Sequence, residues 1–300
     1  MRQPQTNKED TMKPEQLQEG ALCQLRMGRW DASVKMSKDK LGKEVPKEIV
    51  RAMQDLVEDR TLLKDLSNVR RSAKGLLERN SLPFPIDGIF WVPKDKISEL
   101  DKAFSEFEKL YAERLETLCE NIDSMKANFK RKYPTYYVKE KYPTQRQLKK
   151  KFYFYWNFFH LTMPDQKAKL LSPKLYEREK EKFQGMVKQM EEMTINLIGN
   201  HLIWRVQRLA DQCESGKINS ATFSSIERFL EKWDDLWKGH IDERKMKSTI
   251  ILLKKQIKSA SVDRLKNNDD FRQKMGAQLE KTMKRVQSIP DFTLKRNLDV

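Results

Sequence analysis

The chain has 300 residues, of which 35% are charged and 38% hydrophobic, and its formal net charge is +16. This composition, with only ten Gly and eleven Pro, favours long helices with solvated faces and argues against a strand-rich globule. The positive surplus favours an acidic partner such as nucleic acid, an anionic membrane or an acidic protein surface, and it does not choose among them.

The signals for cellular compartment agree with one another. The three cysteines, Cys23, Cys119 and Cys213, are far apart and lack Cys-x-x-Cys spacing, so neither a disulfide framework nor a thiolate zinc site is predicted. Residues 1–19 are polar and lack the apolar core of a signal peptide, and no run of 18 apolar residues occurs. We therefore expect a cytoplasmic protein with residues 1–19 as a disordered lead.

Residues 20–95 should form a small α/β element. Apolar alternation in residues 23–36 changes phase after Gly28, which is typical of a strand that carries a bulge. A second short strand is predicted at residues 89–92, and the two could pair as a small sheet. Between them, helical periodicity predicts a helix that extends over residues 49–80.

The strongest pattern predicts a long helical hairpin over residues 96–215. Its first helix carries apolar residues three or four positions apart, which indicates a coiled-coil seam with one stutter and a rod about 50 Å long. The seam consists of Ile97, Leu100, Phe104, Phe107, Tyr111, Leu115, Leu118, Ile122, Met125 and Phe129. A return helix is predicted from Pro173, capped by Ser172, to about Glu214, with Gly216 at its end. We expect the two helices to pack antiparallel.

The basic aromatic segment, residues 129–160, lies at the tip of this hairpin. Residues 130–156 hold nine Lys or Arg against one acid, Glu140, and so supply half of the net charge. The candidate contact residues are Lys130, Arg131, Lys132, Tyr136, Tyr137, Lys149, Lys150, Lys151, Tyr153 and Tyr155.

Three interpretations of this segment stay open. The lysines could meet phosphates while the tyrosines stack on bases, as in proteins that bind single strands. The structural interpretation is that the aromatic side chains cover the end of the hairpin while the lysines stay hydrated, and that the segment binds no ligand. Contact with an anionic membrane is a third interpretation, which we do not favour.

Helices are also predicted in residues 216–300, which should pack on the bundle. They begin with a helix capped by Ser220, followed by helices at about residues 242–259 and 270–287. Residues 244–300 contain 15 basic and 6 acidic residues. A stripe of Met246, Ile250, Leu253 and Ile257 indicates core packing by default, with a partner groove as the alternative.

No catalytic, cofactor-binding or metal-ligating residue is predicted. The chain lacks a Gly-x-x-x-x-Gly-Lys-Ser/Thr loop and a Gly-x-Gly-x-x-Gly turn. Its three histidines, His160, His201 and His240, lie about forty residues apart without the i, i+4 pairing that would place two imidazoles on one helix face. We therefore do not expect an enzyme.

The order of elements resembles the family catalogued as domain of unknown function 3150. The resemblance extends from Gly20 to Ser288 and rests on soft patterns of apolar and turn residues. These are GRW, KEVPKEIV, LLKDLSNVRRSAKGLLERNSLPF leading into FWVPKDK, FSSIERFLEKWDDL and RLKNNDDFRQKM. Residues 129–159 are more basic and aromatic than the resemblance implies.

The resemblance implies a source and a class of partner. Members occur in bacteria, phages and mobile elements, commonly encoded near MoxR-like or cobaltochelatase-like AAA+ ATPases and proteins with a von Willebrand A domain, and no catalytic residue can be carried over. We expect a non-enzymatic helical scaffold or adaptor of a phage or mobile element, in a multiprotein assembly that includes a MoxR-like AAA+ ATPase. The alternative is a nucleic-acid-binding accessory protein that uses residues 129–159 and the basic C-terminal helices.

Overall fold

The computed structural model describes residues 17, 19–36, 50, 52–162, 172–234, 244–289 and 292. These residues are mainly α-helical, as predicted. The helices are α1 (Thr61–Arg79), α2 (Lys94–Lys132), α3 (Gln145–Lys151), α4 (Pro173–Ser215), α5 (Ser220–Lys232), α6 (Arg244–Lys258), α7 (Val262–Asn267) and α8 (Asp269–Gln287). The strands are β1 (Gly20–Met27), β2 (Ser33–Lys35), β3 (Met53–Asp55), β4 (Leu82–Pro83), β5 (Ile89–Pro93) and β6 (Phe154–Phe159).

The chain divides into two compact units. The rod unit consists of the described residues of 23–79 and 95–159, and the helical unit consists of those of 1–22, 80–94 and 160–300. The two long helices, α2 and α4, therefore belong to different units. Their antiparallel pairing, and with it the coiled coil, stays a prediction. So does the disordered lead, which lies outside the described residues except for Leu17 and Glu19.

The predicted rod is confirmed as α2, which is 39 residues long. It ends at Lys132 because Pro134 follows and begins a short 3-10 turn, Pro134–Tyr136. Six residues of the predicted seam are buried, at the spacing of one helix face. They are Leu100, Phe104, Tyr111, Leu118, Ile122 and Phe129.

The segment that follows α2 folds back along it and covers this face. The contacts follow an antiparallel order, in which the position on α2 falls as the position in the segment rises. They join Tyr142 to Phe129, Gln145 to Cys119, Lys149 to Glu116, Phe152 and Phe154 to Tyr111, and Trp156 to Phe104 and Asp101. Tilted aromatic pairs of this kind contribute about 0.5 to 1.5 kcal/mol each beyond the area that they bury. Within the rod unit, this segment is therefore one of the elements that cover α2.

The helix predicted over residues 49–80 is wrong in its first part. Residues 53–55 form β3, which pairs antiparallel with β2, and Met53 is 61% exposed. The helix begins only at Thr61, because the carboxylate of Asp59 accepts a hydrogen bond from the Thr61 backbone N–H at 2.8 Å. The small two-stranded sheet expected near the N-terminus is confirmed as β2 and β3.

Strand β1 belongs to a second sheet, in which it lies between β5 and β6. In the helical unit, β5 pairs antiparallel with β4, and the start of β1 lies next to β5, so the predicted neighbourhood of the two strands is present. The single bulged strand predicted over residues 23–36 is wrong, because this range contains the end of β1 and all of β2, which belong to different sheets. There Trp91 is buried, and its indole N–H donates to the Leu17 carbonyl oxygen at 3.2 Å. In the rod unit, β1 lies next to β6, a strand that the sequence analysis did not predict.

The helical unit is built around α4. Its predicted ends are confirmed, because the Ser172 hydroxyl accepts from the Leu175 N–H at 3.3 Å and Gly216 adopts a left-handed conformation with φ of 72°. Helix α4 packs against α5 and α8, and α8 also packs against α6 and α7. The cap of α5 is Asn219 and not Ser220, since the Asn219 side chain accepts from the Ala221 N–H. The short α7 was not predicted.

The stripe predicted on α6 is buried, as the core interpretation requires. It consists of Met246, Ile250, Leu253 and Ile257. The lysines around it face outward, and Lys254 pairs with Asp234 at 2.5 Å. These residues therefore pack within the helical unit.

Candidate basic and aromatic surface

All ten candidate contact residues lie in the rod unit, and the fold-back divides them into two groups. Lys130, Arg131, Lys132, Tyr136 and Tyr137 form the first group at the end of α2. The second group lies on α3, β6 and the two residues between them, and it consists of Lys149, Lys150, Lys151, Tyr153 and Tyr155. Because Lys149 pairs with Glu116, the helical rise separates it from Lys130 by about 21 Å along α2. The sequence segment is therefore two surfaces and not one continuous patch.

In the first group, most side chains serve packing. Lys132 pairs with Glu58, and the Tyr137 ring stacks on Tyr142 with 5.0 Å between centroids. Lys130 lies 5.7 Å from the centroid of the Tyr137 ring. Cations in the last turn of a helix also stabilise it by interacting with the helix dipole. The structural interpretation, in which this group covers the end of the rod, fits these contacts.

Tyr136 is held by its backbone. Its carbonyl oxygen accepts a hydrogen bond from the Gln54 side-chain amide at 2.7 Å, which ties this turn to β3. The side chain is 39% exposed. Nearby, Leu56, Phe129 and Tyr142 form a small buried cluster.

The second group presents two neighbouring rings, that of Tyr153 directly before β6 and that of Tyr155 on β6. Alternation along the strand buries Phe154 and directs Tyr153 and Tyr155 outward, where they are 47% and 39% exposed. The two rings lie 5.7 Å apart at an angle of 31°. Arg26 of β1 donates to the Tyr155 hydroxyl at 3.3 Å. Tyr153 and Tyr155 thus form an exposed aromatic surface, and Arg26 places a cation at its edge.

The lysines of this group differ in their partners. Lys149 is paired with Glu116 at 2.7 Å, whereas Lys150 and Lys151 are exposed and form no ion pair with a described residue. Helix α3 is fixed by a capping box between Thr144 and Gln147. The free positive charge of this group therefore resides on Lys150 and Lys151.

Gly28 holds the start of β6 against β1. Its N–H donates to the Tyr153 carbonyl oxygen at 2.8 Å, and a Cβ there would lie 2.1 Å from the Lys151 carbonyl oxygen. The Gly28 carbonyl oxygen accepts from the Tyr111 hydroxyl at 2.6 Å. Burial raises the pKa of Tyr111 to about 12, so its phenol stays protonated and remains a donor. Only glycine permits this close approach.

A cleft of about 100 Å³, which was not predicted from the sequence, lies beside this group at the start of α1. Four of its lining residues are cationic, namely Arg29, Arg60, Lys64 and Arg70. Arg60 and Lys64 are four residues apart and so lie on the same side of the start of the helix, whereas Arg70, six residues after Lys64, lies about 120° around the helix from it. The spacing of Arg60 and Lys64 is therefore a sequence signal for only part of the cleft.

The titratable groups do not resemble an activated nucleophile. All three cysteines are buried and free, and burial raises the pKa of Cys23 to about 12, which disfavours its thiolate at neutral pH. On α4, burial, followed by Arg205 and Lys232, lowers the pKa of His201 to about 4. Within the described ranges, no group of three or more His, Cys, Asp or Glu could hold a metal ion. Among those same residues, no helix is long and apolar enough to span a membrane.

Residues 17–236 match the family model described as protein of unknown function (DUF3150). No curated protein and no solved structure matches the chain.

Proposed function

The chain belongs to the DUF3150 family, and we propose that it is a non-enzymatic helical scaffold or adaptor that docks an acidic protein in a multiprotein assembly. The observation that carries the proposal is the exposed Tyr153–Tyr155 pair beside Arg26. Tyr and Arg are enriched at the centres of protein interfaces, because both provide large contact area and hydrogen bonds. Lys150 and Lys151 add the positive rim that favours an acidic partner.

The rest of the proposal follows from the family resemblance and the composition. A MoxR-like AAA+ ATPase is the class of partner that the resemblance implies, and a phage or mobile element is the implied source. A cytoplasmic location agrees with three buried free thiols. None of these points depends on the geometry of β6.

A photo-crosslinking experiment in the native host tests the docking role. A photoreactive analogue replaces Tyr155 in one variant and Tyr136 in another, since both positions are 39% exposed but belong to different groups. We expect a specific protein adduct from position 155 that survives nuclease treatment. Arg26→Gln should lower its yield. Equal crosslinking from both positions would argue against a docking surface on β6.

A second candidate function is binding of single-stranded nucleic acid. The same two rings, 5.7 Å apart on an exposed strand, favour it, because base–aromatic stacking contributes about 1 to 3 kcal/mol per base. Duplex DNA offers no unstacked base faces, so the preference should be for single strands.

Fluorescence anisotropy with labelled oligonucleotides tests this second candidate. Lys150→Ala with Lys151→Ala should lower both the affinity and its salt dependence, since each lost phosphate contact reduces the slope. Lys149→Ala should change the slope less, because Glu116 already neutralises Lys149. Tyr155→Ala should weaken binding with little effect on the slope. Equal affinity for duplex and single strand, or no effect of the double lysine change, would leave only the protein partner.

A further inference from the structure

The cleft at the start of α1 is a small concave site within the rod unit. It is lined by successive turns of α1, by the loop that follows β1, and by Phe152. Leu63 and Leu66, both buried, contribute apolar lining, and Ser67 contributes a hydroxyl. A water molecule needs roughly 10 to 15 Å³ of such space, so about 100 Å³ admits a tetrahedral oxyanion.

Cations outnumber carboxylates around the cleft. Its lining holds Arg29, Arg60, Lys64 and Arg70 against one carboxylate, Asp31. Arg29 pairs with Asp31 at 2.9 Å.

The other nearby carboxylates do not cancel this surplus. Asp55, outside the lining, pairs with Arg60 at 2.6 Å. Asp59 interacts electrostatically with Lys64 but forms no ion pair with it within 4.0 Å. Lys64 and Arg70 therefore have no ion-pair partner among the described residues.

Arg70 carries a specific unsatisfied donor. Its Nε is buried and has no hydrogen-bond acceptor in the described part of the chain. Leaving such a donor unpaired costs about 1 to 3 kcal/mol, and more for a charged group. The Nε is closed to water, so a ligand oxygen in the cleft would reach this donor only after the Arg70 side chain had turned.

The loop that carries Arg29 and Asp31 is held in an unusual conformation. Ala32 has a φ of 50°, a left-handed backbone that costs a residue with a Cβ about 1 to 2 kcal/mol. Two hydrogen bonds fix the loop: the Leu56 N–H donates to the Ala32 carbonyl oxygen at 2.8 Å, and Arg60 donates to the Asp31 carbonyl oxygen at 2.6 Å. Backbone strain that the surroundings enforce is concentrated at functional sites in proteins.

We infer that this cleft binds a phosphate group, either as free orthophosphate or as part of a small phosphorylated metabolite or nucleotide. A phosphate dianion needs more than one cation and accepts several hydrogen bonds, which guanidinium groups, an ammonium and a hydroxyl supply together. One arginine would suffice for a carboxylate. The inference goes beyond the docking role and does not rest on it, because the cleft residues differ from those of the β6 surface.

Isothermal titration of the full chain with inorganic phosphate, at constant ionic strength, tests the site. We expect one saturable site per chain, weakened at least tenfold by Arg70→Gln and by Lys64→Gln. Lys109→Gln is the matched control, since Lys109 is exposed in the same unit outside the cleft and its loss removes the same charge, so this variant should bind as the unchanged chain does. Equal weakening by Lys109→Gln, or acetate bound as tightly as phosphate, would overturn the inference.

Two further measurements keep the result interpretable. Lys64 is exposed, so Lys64→Gln should fold normally even if Arg70→Gln does not, and thermal melts of both variants will show this. Titration with a nucleoside 5′-monophosphate separates the two sources: tighter binding than orthophosphate assigns the cleft to a phosphorylated ligand, and weaker binding assigns it to the free ion. The photo-crosslink from position 155 should persist in Lys64→Gln, so failure of one proposal leaves the other intact.

Discussion

Helices α2 and α4 are similar in length but are covered in different ways. Helix α4, with 43 residues, buries fifteen of them and packs against α5 and α8 in the helical unit. Helix α2, with 39 residues, buries only seven, and three of these, Phe104, Tyr111 and Phe129, pack against rings of the segment that follows it. A long apolar seam therefore does not require a second long helix, because a short helix and a strand from the same unit can cover it.

The largest effect should come from a charge in the seam of α2. Leu118 is fully buried, so Leu118→Asp should lower the free energy of unfolding by about 4 kcal/mol, since an unpaired carboxylate would enter an apolar site. Ala112→Asp, at an exposed position of the same helix, is the control and should change stability little. Urea unfolding measures both variants, and similar midpoints would mean that the seam is not buried.

The fold-back itself is tested by truncating alternate positions of β6. Phe154→Ala should cost about 3 kcal/mol, because the ring is buried against Tyr111 and Trp156. Tyr155→Ala, at the next position but facing outward, should cost less than about 1 kcal/mol. Thermal melts give the comparison. If the two variants lose equal stability, another element must cover α2.

Lowering the pH should destabilise the helical unit more than the rod unit, since the rod unit contains no histidine. The pKa of His201 falls from 6.5 to about 4 in the helical unit, chiefly through burial. The unfolded chain then binds more protons than the folded chain between pH 6.5 and pH 4. The free energy of unfolding should therefore drop by up to about 3 kcal/mol as the pH is lowered through this range.

Hydrogen exchange at two pH values can locate this effect. Protection of α4 amides should weaken between pH 6.5 and pH 4, and protection of α2 amides should weaken less. His201→Gln removes the titrating group and should flatten the dependence in α4. A slope that persists in this variant would assign the effect to other groups.

A smaller contrast separates two glycines. Gly28→Ala should destabilise the chain by about 2 kcal/mol, because its Cβ would meet the Lys151 carbonyl oxygen. Gly185→Ala should instead stabilise it by about 0.5 to 1 kcal/mol, since nothing lies within 4 Å of that Cβ and alanine favours the helix. Relative to the unchanged chain, we expect the denaturant midpoint to fall for Gly28→Ala and to rise for Gly185→Ala. Destabilisation by both changes would contradict the distinction.

The long helices were predictable because their signals are redundant. The seam of α2 repeats over many turns, and Ser172 and Gly216 mark the two ends of α4. Residues 53–57 were not predictable in the same way. A short apolar run fits both helical and strand periods, and what decides it is pairing with β2, a contact that periodicity does not reveal.

The candidate surface was predicted by composition but not by arrangement. The alternation of Phe152, Phe154 and Trp156 with the two outward tyrosines was a readable strand signal. The separation of the two groups was not readable, because it depends on the antiparallel path of the segment along α2. The cleft at α1 combines residues from that helix with a distant loop, so helix spacing could indicate only part of it.

The order of the fold-back contacts has a consequence for how the rod unit folds. Tyr142 meets Phe129 across 13 residues, whereas Trp156 meets Asp101 across 55, and closing a longer loop costs more chain entropy. Each contact formed near residue 133 shortens the loop that the next contact must close. We therefore expect the segment to zip along α2 from that end, so that Tyr142→Ala slows folding more, relative to its equilibrium cost, than Trp156→Ala does in stopped-flow refolding. A nascent chain can begin this process when residue 142 leaves the ribosome, before the aromatic strand β6 has emerged.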